Sequence, residues 1–334
     1  MEVKKEEPVI MPFATQTGLE LANAAPEKYH GLVDDLLLEV GVSMLCAKPK
    51  TGKSTLLRQL AVAVAEGADF FGKPTLAGDV LYLSLEGPKG VVQQHLKKLG
   101  CTEKHGTVHV VHEPMPFRGE LGLNRLEATL KTLPKLKLVI VDPVGKLLRL
   151  ADSDSYDQVT IAIELLEQIA KKFDLHLMFS THAKKRQTDD AGDSPIGSTG
   201  FRGGTDTNIF LHKQGAQRII STEQRWGIAL EPTVLIFDED RQAMSLGNTV
   251  EEEENAITQS RERSTAQRIE KEIWDALCVD VNPTQGDLLK AVTGRNTAKL
   301  KVLKEMVDGG KVAQERDGKA TRYRAVVPVE RQAA

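Results

Sequence analysis

Residues 41–55 constrain this chain more than any other stretch. Val42, Met44, Leu45 and Cys46 predict a short buried strand, and Leu56, Leu57, Leu60 and Val64 recur behind it at helical spacing. Between them runs Ala47-Lys48-Pro49-Lys50-Thr51-Gly52-Lys53-Ser54-Thr55. A strand, a glycine-bearing turn and a helix in that order make a concavity of inward-pointing backbone N–H groups, backed by the partial positive charge of a helix N-terminus. Such a turn cradles a polyphosphate. In the pattern G-x-x-x-x-G-K-[ST], Lys53 bridges the β- and γ-phosphates and the Ser54 hydroxyl holds Mg²⁺, which leaves Thr55 for the α-phosphate. The first position is Ala47 where the pattern has glycine, and alanine is still small enough for a tight turn.

The next apolar strand, from Gly78, ends on Glu86, and residues 137–141 form another that ends on Asp142. In a parallel sheet with helices between its strands, the strand ends gather along the edge where the ligand sits. Glu86 there can orient and deprotonate an attacking water, and Asp142 can hold Mg²⁺ through water. The alternatives are a turn or N-cap glutamate and a turn aspartate. A third strand, residues 175–182, ends on His182, which can sense the γ-phosphate or simply be a solvated strand-end imidazole. Cys101, His105, His109 and His112 have a metal-like spacing. Gly100 and Gly106 interrupt any helix there, and an extended strand points His109 and His112 to opposite faces, so no metal site is expected.

With 334 residues, 40% hydrophobic and 27% charged, the chain has room for one large core and one small one. No run reaches the length of a membrane span and the first residues lack a signal-peptide core, so a cytoplasmic protein without membrane contact is expected. Three scattered cysteines give no disulfide framework. From Arg261 onward, 15 basic residues face 11 acidic ones, net +4, although the whole chain carries −3. The expected organisation is an N-terminal arm (1–30), an α/β core (31–245), an acidic and polar linker (246–263) and a small α+β domain (264–328). Within the core, the long stretch 183–206 carries Lys184, Lys185, Arg186 and Arg202 among glycines. Loops of that length are functional or disordered.

In this order the parts resemble a RecA-type ATPase core with a largely parallel central sheet. Residues 47–54, Leu83-Ser84-Leu85-Glu86 and the run from Gly197 to Asp206 resemble the plasmid RepA-like hexameric helicases and their phage and mobile-element relatives, over roughly residues 31–240. The resemblance implies ATP and Mg²⁺ as ligands, Lys53 and Ser54 as phosphate-loop residues, Glu86 as catalytic glutamate, Asp142 as the metal-holding acid and His182 as strand-end sensor. It implies a homohexamer in which Arg225 enters a neighbour's site as an arginine finger. Many ring relatives carry a second basic residue two positions earlier, where this chain has Glu223. The loops after Asp142 and His182 would line a channel for single-stranded DNA, with Lys146, Arg149, Lys184, Lys185, Arg186 and Arg202 gripping its backbone. The implied activity is an ATP-driven DNA helicase in replication of a bacterial or mobile-element genome. A recombination or repair ATPase, and an ATP-switched regulator or helicase loader, remain as alternatives.

Three helical patterns (266–277, 284–292, 297–307) and a hairpin turning at Asp317-Gly318 predict a winged helix-turn-helix. Arg295, Lys299, Lys301 and Lys304 on or before its third helix, and Arg316, Lys319, Arg322 and Arg324 on its wing, suit duplex DNA. Docking a protein is the other use of such a module.

Overall fold

The computed structural model describes residues 14–25, 31–102, 104–112, 119–148, 156–183 and 199–326. The chain divides into two units, Met1–Gly247 and Asn248–Ala334. After a short helix α1 (Gly18–Asn23), whose residues are all exposed, the first unit opens with a small hairpin, β1 (Gly31–Val33) and β2 (Leu37–Leu38). There follow β3 (Gly41–Ala47), α2 (Lys53–Glu66), β4 (Asp79–Ser84), α3 (Lys89–Lys98), β5 (Val108–Val111), α4 (Glu120–Leu130), β6 (Leu136–Asp142), α5 (Tyr156–Phe173) and β7 (His176–His182). A short α6 (Thr199–Gly204) then precedes β8 (Thr207–Gln214), β9 (Gln217–Gln224), β10 (Thr233–Asp238) and β11 (Ala243–Thr249).

Nine of these strands form one sheet in the order β11-β10-β9-β8-β3-β7-β6-β4-β5. Strands β3 to β8 are parallel to one another, and β9 runs antiparallel to both β8 and β10. This large, mostly parallel sheet in a mixed α/β unit is consistent with a RecA-like P-loop core. Its central strand is apolar on both faces because helices cover both. Val42, Met44 and Cys46 pack with Leu126, Val159 and Ile163 from α4 and α5, whereas Leu45 and Ala47 pack with Leu56, Leu57 and Leu60 of α2. The period of two along β3 therefore sorts its side chains between two cores.

Register fixes which residues share the sheet's C-terminal edge. Ala47 lies opposite His182 on one side and Leu211 on the other, and Ser84 lies opposite Asp142. The phosphate-loop strand and the His182 strand thus end at one level, and Asp142, which follows the Val141–Phe179 pairing of β6 on β7, ends its strand beside Ser180, two residues lower. At the opposite edge, Asp206 joins β8 to β3: its backbone N–H donates to Val42 O at 2.8 Å, and its carboxylate accepts from the Val42 N–H at 2.9 Å.

At the start of β7, His176 is fully buried, with Nε2 3.0 Å from Ser43 Oγ. Burial pushes its imidazole down to about 4, from an ordinary value near 6.5. Below pH 6.5 the unfolded chain takes up a proton that the folded chain refuses until about pH 4, so stability falls with acidification across that window. We expect a loss of about 2 kcal/mol between pH 7 and pH 5 from this group. Urea unfolding at the two pH values checks this, and the pH dependence should shrink in a His176→Asn variant.

The second unit contains a 30-residue helix α7 (Val250–Val279), α8 (Gln285–Ala291), α9 (Asn296–Asp308) and an antiparallel hairpin, β12 (Val312–Asp317) and β13 (Ala320–Ala325). Ile269, Ile273, Leu277, Leu288, Val302, Leu303, Met306 and Tyr323 form its core. The expected linker is helical from Val250 onward. A capping box starts that helix: Thr249 accepts from the Glu252 N–H, and the Glu252 carboxylate accepts from the Thr249 N–H. Three glutamates in its first turn complement the helix dipole, so acidity here starts a helix.

Candidate active site

The turn between β3 and α2 is shaped by two left-handed residues, Lys50 at φ 63° and Gly52 at φ 114°. At Gly52 a side chain would also collide with Met244, since a Cβ there would lie 2.6 Å from its terminal methyl. Thr51 closes the turn by donating its hydroxyl to Lys48 O at 2.7 Å. From outside, Arg218 donates Nε to Thr51 O at 3.1 Å and stacks over Phe237, while the Gln59 amide exchanges two 2.8 Å hydrogen bonds with the Met244 backbone. Sequence reasoning missed this brace from β9 to β11, whose residues match no local pattern.

Lys53, the first residue of α2, folds inward and is 8% exposed. Its ammonium donates to Ala47 O at 2.9 Å and lies 3.1 Å from His182 Nδ1. An ammonium has no lone pair, so Nδ1 is the acceptor and the imidazole is neutral, with its proton on Nε2. Burial lowers the Lys53 pKa, opposed by the carboxylates of Asp142 and Glu86. Burial and then the Lys53 charge hold His182 below the ordinary imidazole range, with Glu86 and Asp142 pulling the other way. Lys53, His182, Glu86 and Asp142 are therefore close enough to form one electrostatic cluster, assembled from four strand ends.

Asp142 is 7% exposed and accepts a hydrogen bond on each oxygen, from Tyr82 at 2.9 Å and Ser180 at 2.6 Å. Glu86 stands in the exposed turn after β4, and the neighbouring Leu85 N–H donates to Asp142 O at 2.9 Å. Ser54 and Thr55 lie half-buried in the first turn of α2, while Lys48, Pro49 and Lys50 form an exposed rim. The structure thus brings together every residue expected at the phosphate site. The arrangement suits a nucleoside triphosphate: a buried cation and a helix N-terminus for phosphate, with a hydroxyl and a carboxylate for a hard cation. At the mouth there is a carboxylate available to water.

A family model described as an AAA domain matches residues 6–188. The chain belongs to this AAA-domain family. No curated protein matches it. Among solved structures, the KaiC-like protein PH0186 from the hyperthermophilic archaeon Pyrococcus horikoshii OT3 is similar at 14% identity and a TM-score of 0.46, over 65% of this chain and 93% of that one. The AAA-domain assignment makes the protein a P-loop ATPase, a class that binds nucleotide and usually Mg²⁺.

The residues expected at DNA fare differently. Arg149, Lys184, Lys185 and Arg186 lie outside the described residues, and Lys146 is half-buried in a single 3-10 turn after Pro143. Three others are engaged within the chain. One edge of the Arg202 guanidinium, Nε and Nη2, donates to the two carboxylate oxygens of Glu223, and the group stacks over Phe210, so its charge is paired within the chain. Lys299 is 8% exposed and donates to Leu289 O at 2.8 Å, which makes it part of the packing between α8 and α9. Arg322 is held by Asp317 and by Asn282 O. Arg295, Lys301, Lys304, Arg316, Lys319 and Arg324 are exposed on α9 and the hairpin. Among the described residues no helix is long and apolar enough to cross a membrane.

Arg225 sits in the exposed loop between β9 and β10. Its N–H donates to Asp206 O at 2.8 Å and its guanidinium to Gly203 O at 2.7 Å. Asp206 is bonded to Val42, at the start of β3, whereas the phosphate turn leaves β3 after Ala47. Arg225 therefore stands at the opposite edge of the sheet from its own phosphate turn, roughly 15 Å away at the rise of an extended strand.

Proposed function

We infer that the protein is an ATP-hydrolysing oligomeric DNA motor of the RepA-like helicase class, acting as a homohexamer in replication. The observation that carries this reading is the placement of Arg225. An arginine in an exposed loop, across the sheet from its own site, supports a role in a neighbour's. Hydrolysis then depends on assembly. Water attacks the γ-phosphorus, Glu86 takes its proton, and the bond to the bridging oxygen breaks to leave ADP. Lys53 exchanges Ala47 O and His182 Nδ1 for phosphate oxygens, so His182 registers nucleotide through the proton donor it loses. Ser54, and Asp142 through water, would hold Mg²⁺, which would supply charge neutralisation on the phosphates.

We read the second unit as a winged helix-turn-helix for duplex DNA. The exposed cations of α9 and the hairpin favour that over protein docking, because their charge matches a phosphate backbone. Single-stranded DNA would pass through the channel of the ring. The test is ATP turnover measured against protein concentration, with and without single-stranded DNA, alongside mass in solution. We expect turnover to rise steeply with assembly and to be stimulated by DNA. Turnover indifferent to both would overturn the motor in favour of a switch or loader.

A further inference from the structure

The carboxylate assigned to the metal is held from both neighbouring strands. In the sheet, β6 lies between β4 and β7. Tyr82 on β4 donates its hydroxyl to Asp142 Oδ2 at 2.9 Å, and Ser180 on β7 donates to Oδ1 at 2.6 Å. Tyr82 has no exposed surface, nor has Ser180. Each oxygen of a carboxylate has two lone-pair directions, so one on each remains for the site. With both oxygens bound to fixed donors, the carboxylate cannot swing about its bond to the Asp142 Cβ.

The residue that carries the metal-binding hydroxyl is tied to the same frame through its backbone. Arg58, buried on α2, donates Nε to Ser54 O at 2.8 Å, and its guanidinium lies beside the Tyr82 hydroxyl. The buried side chains of Arg58 and Tyr82 thus run beneath the site from the Ser54 backbone carbonyl to the Asp142 carboxylate. None of the three, Arg58, Tyr82 or Ser180, belongs to the phosphate-binding pattern.

We propose that Tyr82 and Ser180 are positioning residues that preset the Asp142 carboxylate for Mg²⁺ before nucleotide arrives, a role that rests on the nucleotide-site reading above. A ligand held in place by its hydrogen-bonded neighbours binds metal more tightly, and losing such a neighbour typically costs 10- to 100-fold in metal affinity. A pair of donors that merely satisfied a buried carboxylate would affect stability and leave metal affinity alone.

The experiment is equilibrium binding of a fluorescent ATP analogue to the full chain, without Mg²⁺ and across a Mg²⁺ titration. Tyr82→Phe and Ser180→Ala should each bind the Mg²⁺-free analogue as the wild type does and need about tenfold more Mg²⁺ to reach half of the Mg²⁺-dependent gain. An unchanged Mg²⁺ midpoint in both variants overturns the proposal, as does a loss of Mg²⁺-free binding with the midpoint unmoved. Thermal melting by circular dichroism verifies folding. Should Tyr82→Phe fail to fold, Ser180→Ala decides, since it removes one oxygen and leaves the aromatic core intact. A wild-type chain that bound no nucleotide would instead remove the nucleotide-site reading and the proposal with it.

Discussion

A Glu86→Gln variant is expected to bind nucleotide as the wild type does and to lose turnover by about 10²- to 10⁴-fold, the contribution usual for a positioned general base. Glutamine preserves the shape of the side chain and one acceptor oxygen but takes no proton from water. Glu86 is exposed in its turn, so the substitution leaves both cores untouched. The turn is fixed by the bond from the Leu85 N–H to Asp142 O, which keeps the altered side chain at the mouth of the site. Glu86 also acts electrostatically on Lys53 and His182, and removing its charge takes away part of what opposes the lowering of both groups. Single-turnover hydrolysis with saturating nucleotide separates chemistry from binding. Hydrolysis at the wild-type rate would remove Glu86 as the base.

How much of this site could be read in advance depends on how local its signals are. Lys53, Ser54, Glu86, Asp142 and His182 each end or begin an element whose period is plain in the sequence, so their convergence follows once the strands are parallel. Tyr82 and Ser180 sit inside strands that read as continuously buried, where a hydroxyl carries no signal until its partner across the sheet is known. The Arg202–Glu223 pair joins residues 21 positions apart and depends on where α6 lies against β9. The burial of Lys299 is legible in the sequence. The lysine precedes Val302 and Leu303 by three and four residues, which puts it on the buried stripe of α9, and length lets its ammonium reach a carbonyl. The start of α7 was legible too, since Thr249 followed three residues later by Glu252 is a helix-start signature that the acidic run obscured.

Arg225→Ala is expected to lower turnover by about 10³- to 10⁵-fold while leaving fold and nucleotide binding unchanged. Among the described residues the guanidinium donates to Gly203 O alone, at an exposed loop, and the backbone bond from the Arg225 N–H to Asp206 O survives the substitution. Nothing in the chain's own phosphate turn touches it. Turnover alone does not tell an arginine acting across subunits from one acting within its own, but mixing does. A subunit carrying Arg225→Ala keeps its own Glu86, and a subunit carrying Glu86→Gln keeps its own Arg225. If the arginine serves the neighbouring site, equimolar mixing of the two inactive variants creates interfaces with an intact Glu86 on one side and an intact Arg225 on the other, and activity returns. If it serves its own site, no pairing within the mixture restores a complete set, and the mixture stays as inactive as its components. Activity regained on mixing, absent from either variant alone and lost again on dilution below the assembly concentration, is the result that the opposite-edge placement of Arg225 predicts.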